Sequence, residues 1–189
     1  MIKDKNYALK LCCISATVIA IITTVVLVTL AFTVFKRHDP ELVLYPTGLA
    51  KLQLDDFITQ DTITSVMVMS IRNRNHGSFK FENTTSHITY DGELVGWVPI
   101  MADTIPEEAS MNITAHATLR AKKLRENPKA INDIVSGSLN LTATATMHGK
   151  MSIMGIKKKG SVYTECHMTM YISEVPIRGD SKCWTKLEI

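Results

Sequence analysis

The chain has 189 residues and a net charge of +3, from 21 Lys and Arg against 18 Asp and Glu. So small a charge, with no Arg-rich helix and no basic stripe interleaved with aromatics, argues against a nucleic-acid partner. The 46% hydrophobic share is swollen by one N-terminal stretch, and the residues C-terminal to that stretch amount to one ordinary domain in size.

A ten-residue tail, residues 1–10, precedes Leu11 to Phe35, a run of 25 residues with no charge. As a helix the run rises about 37 Å, more than the roughly 30 Å hydrocarbon core of a bilayer. Its Val, Ile and Thr would suit strands in water. In lipid only a helix satisfies every backbone group within the segment, and the Thr hydroxyls can bond back to carbonyls one turn earlier. A cleaved signal peptide would have a shorter apolar core, about 7–15 residues, and small residues at its end. Here Phe32, Val34 and Phe35 occupy the end, so residues 11–35 read as an uncleaved transmembrane signal anchor. Lys3, Lys5 and Lys10 before the span and Lys36 and Arg37 after it give a slight lean to a cytoplasmic N-terminus. Cys12 and Cys13 at the span's edge are palmitoylation candidates, or simply small apolar residues of the span.

Residues 36–189 read as an extracellular or lumenal domain. Asp39-Pro40 stops the helix. Glu41 to Leu54 reads as a strand interrupted at Pro46-Thr47-Gly48, and Thr62 to Asn73 as a strand buried on both faces. Arg72 to Gly77 is a polar turn. Phe79 and Phe81 alternate with charges in a third strand, and Asp91-Gly92 between two short apolar runs signals a hairpin.

Ser110 to Leu119 alternates cleanly, with Met111, Ile113, Ala115, Ala117 and Leu119 on one side. Leu139 to Met147 does the same. Period two means half-buried strands of an antiparallel sheet. Between them Asn127 caps a helix that opens on Pro128, carries an apolar stripe of Ala130, Ile131, Ile134 and Val135, and ends at Gly137. Gly160 to Ser173 is another strand. A turn from Pro176 to Asp180 leads to a last short strand around Cys183-Trp184. The pattern predicts an all-β sandwich with one short helix, preceded by the single transmembrane helix.

Three sequons lie beyond the span: Asn83, Asn112 and Asn140. The alternation puts Asn112 and Asn140 on solvent faces, where a glycan fits. Cys166 and Cys183 are 17 residues apart. If their strands are antiparallel neighbours centred near residues 174–175, the two cysteines face each other at a separation a disulfide tolerates. A shift of one residue at Pro176 would turn Cys183 away, and two buried thiols are the alternative.

The order of the Asn73-x-Asn75 turn, Phe, Tyr90, Gly92, Gly96, the helix with Ser136-Gly137, the alternating strand, the Gly155–Gly160 turn and a Cys in each of the last two strands resembles the plant late-embryogenesis-abundant group 2 family. Within it the chain is similar to the membrane-anchored branch of harpin-induced and disease-resistance-related proteins. That family often has Asn-Pro-Asn where this chain has Arg74, and Arg cannot fix the turn as Pro does. The resemblance implies a fibronectin type III or immunoglobulin-like sandwich, a role in stress or defence at membranes, and no catalysis.

The residues agree with the last point. His116, His148 and His167 are scattered over strand positions, without H-E-x-x-H or C-x-x-C spacing. There is no G-x-S-x-G elbow and no Gly-rich loop opening a helix. No catalytic, cofactor or metal site is expected. Lys157-Lys158-Lys159 reads as a solvated hairpin tip, with a contact to anionic headgroups as the alternative; Arg178-Gly179-Asp180 as a plain turn, with adhesion as the alternative; and Met67, Met69, Met168 and Met170 as adaptable core filling, with an apolar binding surface as the alternative. The function expected is binding, to an unknown protein or cell-surface partner, by a domain anchored in the plasma membrane. The alternative is a desiccation or osmotic protectant with no dedicated partner.

Overall fold

The computed structural model of the protein describes residues 2–34, 38–153, 155–174 and 176–188. It divides into two compact units, Met1–Arg37 and His38–Ile189.

In the first unit, helix α1 runs over Ile2–Val34. The tail therefore continues the helix, since nothing before Leu11 breaks it. The stretch Cys13–Leu30 is long and apolar enough to cross a membrane. Hydroxyls of Thr17, Thr23, Thr24 and Thr29 donate to the carbonyls of Cys13, Ile19, Ala20 and Val25, at 2.6–3.0 Å. The polar groups of these threonines are thus satisfied within the run. Phe35, the last residue of the expected span, lies outside the described residues.

Among the described residues the second unit has ten strands: β1 Glu41–Tyr45, β2 Ile63–Arg72, β3 Ser78–Phe81, β4 Thr84–Tyr90, β5 Glu93–Ile100, β6 Asp103–Ile105, β7 Ser110–Leu119, β8 Ser138–Ile153, β9 Ile156–Tyr171 and β10 Arg178–Glu188. All pairings are antiparallel, and the hydrogen-bonded order runs β1-β2-β7-β5-β4-β8-β9-β10. Strand β8 is the pivot. One side of it pairs β9 along its whole length. The other pairs β4 through its first half and β3 through its end, with β6 beyond β3. The two ends of the order meet through side chains: Ser181 Oγ donates to the Leu44 carbonyl at 2.8 Å, and Thr185 Oγ1 donates to that of Pro40. The result is an all-β sandwich that closes like a barrel.

The alternation in β7 and β8 puts Ala115, Ala117, Leu119, Leu139, Leu141, Ala143, Ala145 and Met147 inside. Met67, Met69, Met168 and Met170 join them in the core. In β2 the inward face is buried, but Thr64 and Arg72 are exposed and Val66, Val68 and Ser70 half-buried. The strand is covered on one side rather than two. Asp91 and Gly92 close the β4–β5 hairpin with φ of 49° and 82°. That pair of left-handed residues matches the twist of the flanking strands.

Further segments differ from the sequence reading, among them Lys157-Lys158-Lys159, which lie within β9 opposite Ser152, Met151 and Lys150 rather than at the hairpin tip. The strand expected to resume after Pro46 is a 3-10 turn, Thr47–Lys51, followed by helix α2, Leu54–Thr59. Asp56 caps α2 by accepting the Gln53 N–H at 2.7 Å, and Phe57 drops fully into the core. Gly48 allows the turn to lie flat on β2, where a Cβ would come within 2.3 Å of the Val66 nitrogen. Helix α3, Ala121–Glu126, is additional to the one helix expected in the domain. It is tied to α2 by Arg125, whose guanidinium donates to the Phe57 carbonyl at 3.0 Å and the Asp61 carboxylate at 2.8 Å. Finally, Arg178-Gly179-Asp180 begins β10, paired with Tyr171, Met170 and Thr169, and is no turn. The reversal is over by Ile177, which is buried.

Helix α4, Pro128–Ser136, forms where expected. Asn127 Oδ1 accepts the N–H groups of Lys129 and Ala130, and Gly137 ends the helix at φ 93°. Of its stripe, Ala130 and Ile134 are buried, whereas Ile131 is 41% and Val135 81% exposed. A nine-residue helix lying on a sheet buries a narrower strip than its apolar residues offer.

Candidate functional site

The turn that links β2 to β3 is polar in sequence, yet Asn73, Asn75 and Gly77 are buried in the structure while Arg74 and His76 stay exposed. Asn73 and Asn75 are 4% and 5% exposed. Asn73 Nδ2 donates to the carbonyls of Gly77 and Pro106, at 2.8 and 2.9 Å, and its Oδ1 accepts the Asn75 N–H at 3.0 Å. Asn75 in turn holds His38, the first described residue of the domain, through both backbone groups. Side-chain amides thus fix the turn that Arg74 cannot, and Arg74 instead pairs with Glu41 of β1. Sequence reasoning missed this clasp because Asn in a turn reads as solvent-facing; the spacing Asn-x-Asn was the available signal.

Cys166 and Cys183 are directly opposite in β9 and β10 and are joined by a disulfide. Cys166 is buried and Cys183 half-buried. Cys13 is a free, exposed thiol on α1. Cys12 lies on the same helix, and its side chain is outside those described.

The sequon asparagines are all exposed, and they are dispersed. Asn83 accepts the Ala102 N–H through Oδ1 at 2.6 Å. Asn112 is on β7, opposite Ser70. Asn140 is on β8 and accepts the Thr169 hydroxyl at 2.7 Å.

Titratable groups pair locally. His148 Nδ1 meets Ser161 Oγ at 2.9 Å, His167 lies 3.4 Å from Glu165, and His76 lies 2.9 Å from Glu108. His116 is exposed on β7. Among the described residues no three His, Cys, Asp or Glu side chains gather as a metal set. Tyr90 at the β4–β5 turn donates to Asp133 of α4 at 2.8 Å. Burial first, and the Asp133 carboxylate second, push its phenol up to about 12.

The interior offers little room. One cavity among Leu42, Ile71, Phe79 and Met147 has about 10 Å³, and one among Leu49, Ile63, Met67 and Met168 about 30 Å³. Spaces of that size suit a water molecule, not an organic ligand. Larger concavities lie outside, on the end of the β8–β9 hairpin and its neighbours. One, of about 650 Å³, is lined by Lys80, Lys150, Lys157 and Thr104 among others, and an adjoining one of about 510 Å³ by His148, Lys159 and Ser161.

No family model matches the chain. It is similar to a late embryogenesis abundant protein of Arabidopsis thaliana, 27% identical over 112 residues, which are 58% of this chain and 52% of that protein. The chain thus spans about half the length of the curated relative it matches. A solved structure of a protein from Archaeoglobus fulgidus is 11% identical and covers 79% of this chain and 96% of that one, with a TM-score of 0.37.

Proposed function

We propose that this is a membrane-anchored, non-catalytic binding protein of plant stress or defence responses, of the group 2, harpin-induced kind of late-embryogenesis-abundant protein. In this reading α1 is a signal anchor in the plasma membrane, the N-terminus is cytoplasmic, and the β domain is extracellular and holds a protein or cell-surface partner. The observation that carries it is an apolar helix followed directly by a β domain whose interior is filled. Such a domain has surface to offer, and the enclosed spaces among the described residues, of about 10 and 30 Å³, are too small for a substrate. The similarity to a late embryogenesis abundant protein supports the stress context. The Cys166–Cys183 bond supports an oxidising compartment for the domain.

The test is affinity capture of the full chain from stressed and unstressed plant membranes after cross-linking in place. The reading expects a partner recovered in fixed stoichiometry. Recovery of the protein alone, with enzymes in its vicinity still protected from drying, would favour the protectant role and overturn the binding one.

A further inference from the structure

Like charges directly opposite one another in a sheet are destabilising, yet this domain lines up three. In the ladder of β3 with β8, Lys80 faces Lys150; in that of β8 with β9, Lys150 faces Lys159. The row Thr104–Lys80–Lys150–Lys159 thus crosses four neighbouring strands on one outer face. With strands about 4.8 Å apart, the cations are close neighbours. The next row on that face is Ser78–Ser152–Lys157. All four lysines are exposed, and none is in an ion pair among the described residues. The nearby acids are Glu82, which lines the same concavity, and Glu188, which is taken by Lys186 at 2.8 Å. Four lysines and the hydroxyls of Ser78, Ser152 and Thr104 thus line an open groove with one neighbouring acid free. That chemistry fits phosphate oxygens, which accept from both ammonium and hydroxyl donors.

The place of the groove selects the source of the phosphate. The β8–β9 hairpin ends at the Ile153–Ile156 pair, and Ile156 is 60% exposed. Ile153 packs on Gly77, where an added Cβ would be 2.5 Å from its side chain, and Gly77 closes the turn that clasps His38. His38 is four residues beyond Val34 in the sequence. The end of the domain at which His38 lies thus bears both the lysines and an exposed isoleucine. Basic groups beside an apolar tip are the composition of surfaces that lie on lipid.

We propose that the Lys80–Lys150–Lys157–Lys159 groove binds the phosphate-bearing headgroups of anionic lipids in the leaflet from which His38 emerges. The inference rests on α1 being a span, and makes no use of which side the domain is on. The groove holds the domain down on the bilayer rather than recognising a protein.

The test is lysine footprinting of the full chain, produced without glycans, in nanodiscs of phosphatidylcholine alone or with added phosphatidylserine. Acylation of the four lysines is expected to slow about fivefold or more in the anionic discs, while Lys182, exposed elsewhere on β10, is unchanged. About 1 M salt is expected to abolish the difference. K80Q/K150Q/K157Q is expected to restore fast acylation of Lys159. Equal rates in the two discs overturn the proposal. Protection by soluble inositol phosphates in neutral discs, without protection by phosphatidylserine, overturns the lipid source and makes the ligand a soluble polyphosphate. Protection that persists in K80Q/K150Q/K157Q also overturns it, since the groove is then not the cause. Alkaline carbonate extraction reads the span separately, so a loosely bound helix and an idle groove give different results.

Discussion

Asn75 engages His38 at both ends of its side-chain amide. Oδ1 accepts the His38 N–H at 2.8 Å, and Nδ2 donates to the His38 carbonyl at 2.7 Å. The first described residue of the domain is thereby fixed to a buried turn. Replacing Asn75 by Ala leaves the Asn73 carbonyl short of a partner as well. We expect a loss of about 2–3 kcal/mol in denaturant unfolding, with fast hydrogen exchange at His38. Asn75→Asp sets a buried carboxylate oxygen against the His38 carbonyl, and should cost at least as much as Asn75→Ala. Unchanged exchange at His38 in Asn75→Ala would show that the clasp holds nothing.

The disulfide closes a loop of about 17 residues, worth roughly 3 kcal/mol in the chain-entropy model. Blocking thiols in the native protein before mass spectrometry should spare Cys166 and Cys183. Reduction should then lower the melting temperature of the domain by several degrees. Full alkylation of both domain cysteines without reductant would remove the bond from the native protein.

The orientation in the membrane is read by the sequons. Asn112 and Asn140 stand on exposed strand faces, so microsomal synthesis should yield a mass that glycosidase reduces and a domain that external protease spares. Digestion of residues 38–189 in sealed microsomes would invert the orientation proposed above.

The hydrogen bond from Tyr90 to Asp133 couples the β4–β5 turn to α4. Its folded pKa of about 12 lies above the ordinary 10. The folded state therefore binds the proton more tightly, and its contribution is complete below pH 10 and lost as pH rises towards 12. Tyr90→Phe should cost about 1 kcal/mol at neutral pH and flatten the fall in stability above about pH 10. A fall as steep in Tyr90→Phe as in the parent would assign the alkaline loss to other groups.

Helix α4 provides a paired test of burial. Ile134→Ala empties a core position and should cost about 2–4 kcal/mol. Val135→Ser, one residue further at 81% exposure, should stay within about 0.5 kcal/mol. Similar losses from both would mean that Val135 is covered in the native protein.

What the sequence made legible was local or strictly periodic. The alternation of β7 and β8 named the inward residues because period two admits few other readings, and Asp91-Gly92 named its hairpin because left-handed turns demand such residues. The facing of Cys166 and Cys183 came from a single turn between consecutive strands. What stayed hidden depends on distant partners. Phe57 makes α2 a core element only because α3 is there beside it. Gly179 extends into β10 because Met170 lies opposite, which no turn propensity expresses. The buried amides of Asn73 and Asn75 find their carbonyls over 30 residues away at Pro106 and His38. The row of Lys80, Lys150 and Lys159 exists only once three strands are in register. Even the stripe on α4 is only half buried, because sequence gives the apolar face but not how much sheet lies beneath it.

The meeting of β1 and β10 has a consequence for self-association. A sheet whose outermost strands are open offers a row of unpaired backbone groups to any neighbouring chain, the template on which strands stack into aggregates. Here the outward carbonyls of Pro40 and Leu44 are already taken by Thr185 and Ser181, and the N–H of Leu187 by Asp39. Strand β10, which does the covering, presents Lys182, Lys186 and Glu188 to solvent and is covalently pinned to β9. This closure keeps the β1 and β10 edges from adding strands between molecules when copies are crowded together, as happens when water is withdrawn. Cutting the Cys166–Cys183 bond removes that pin while leaving the β9–β10 ladder, so reduction is expected to raise the tendency of the domain to aggregate as it is concentrated.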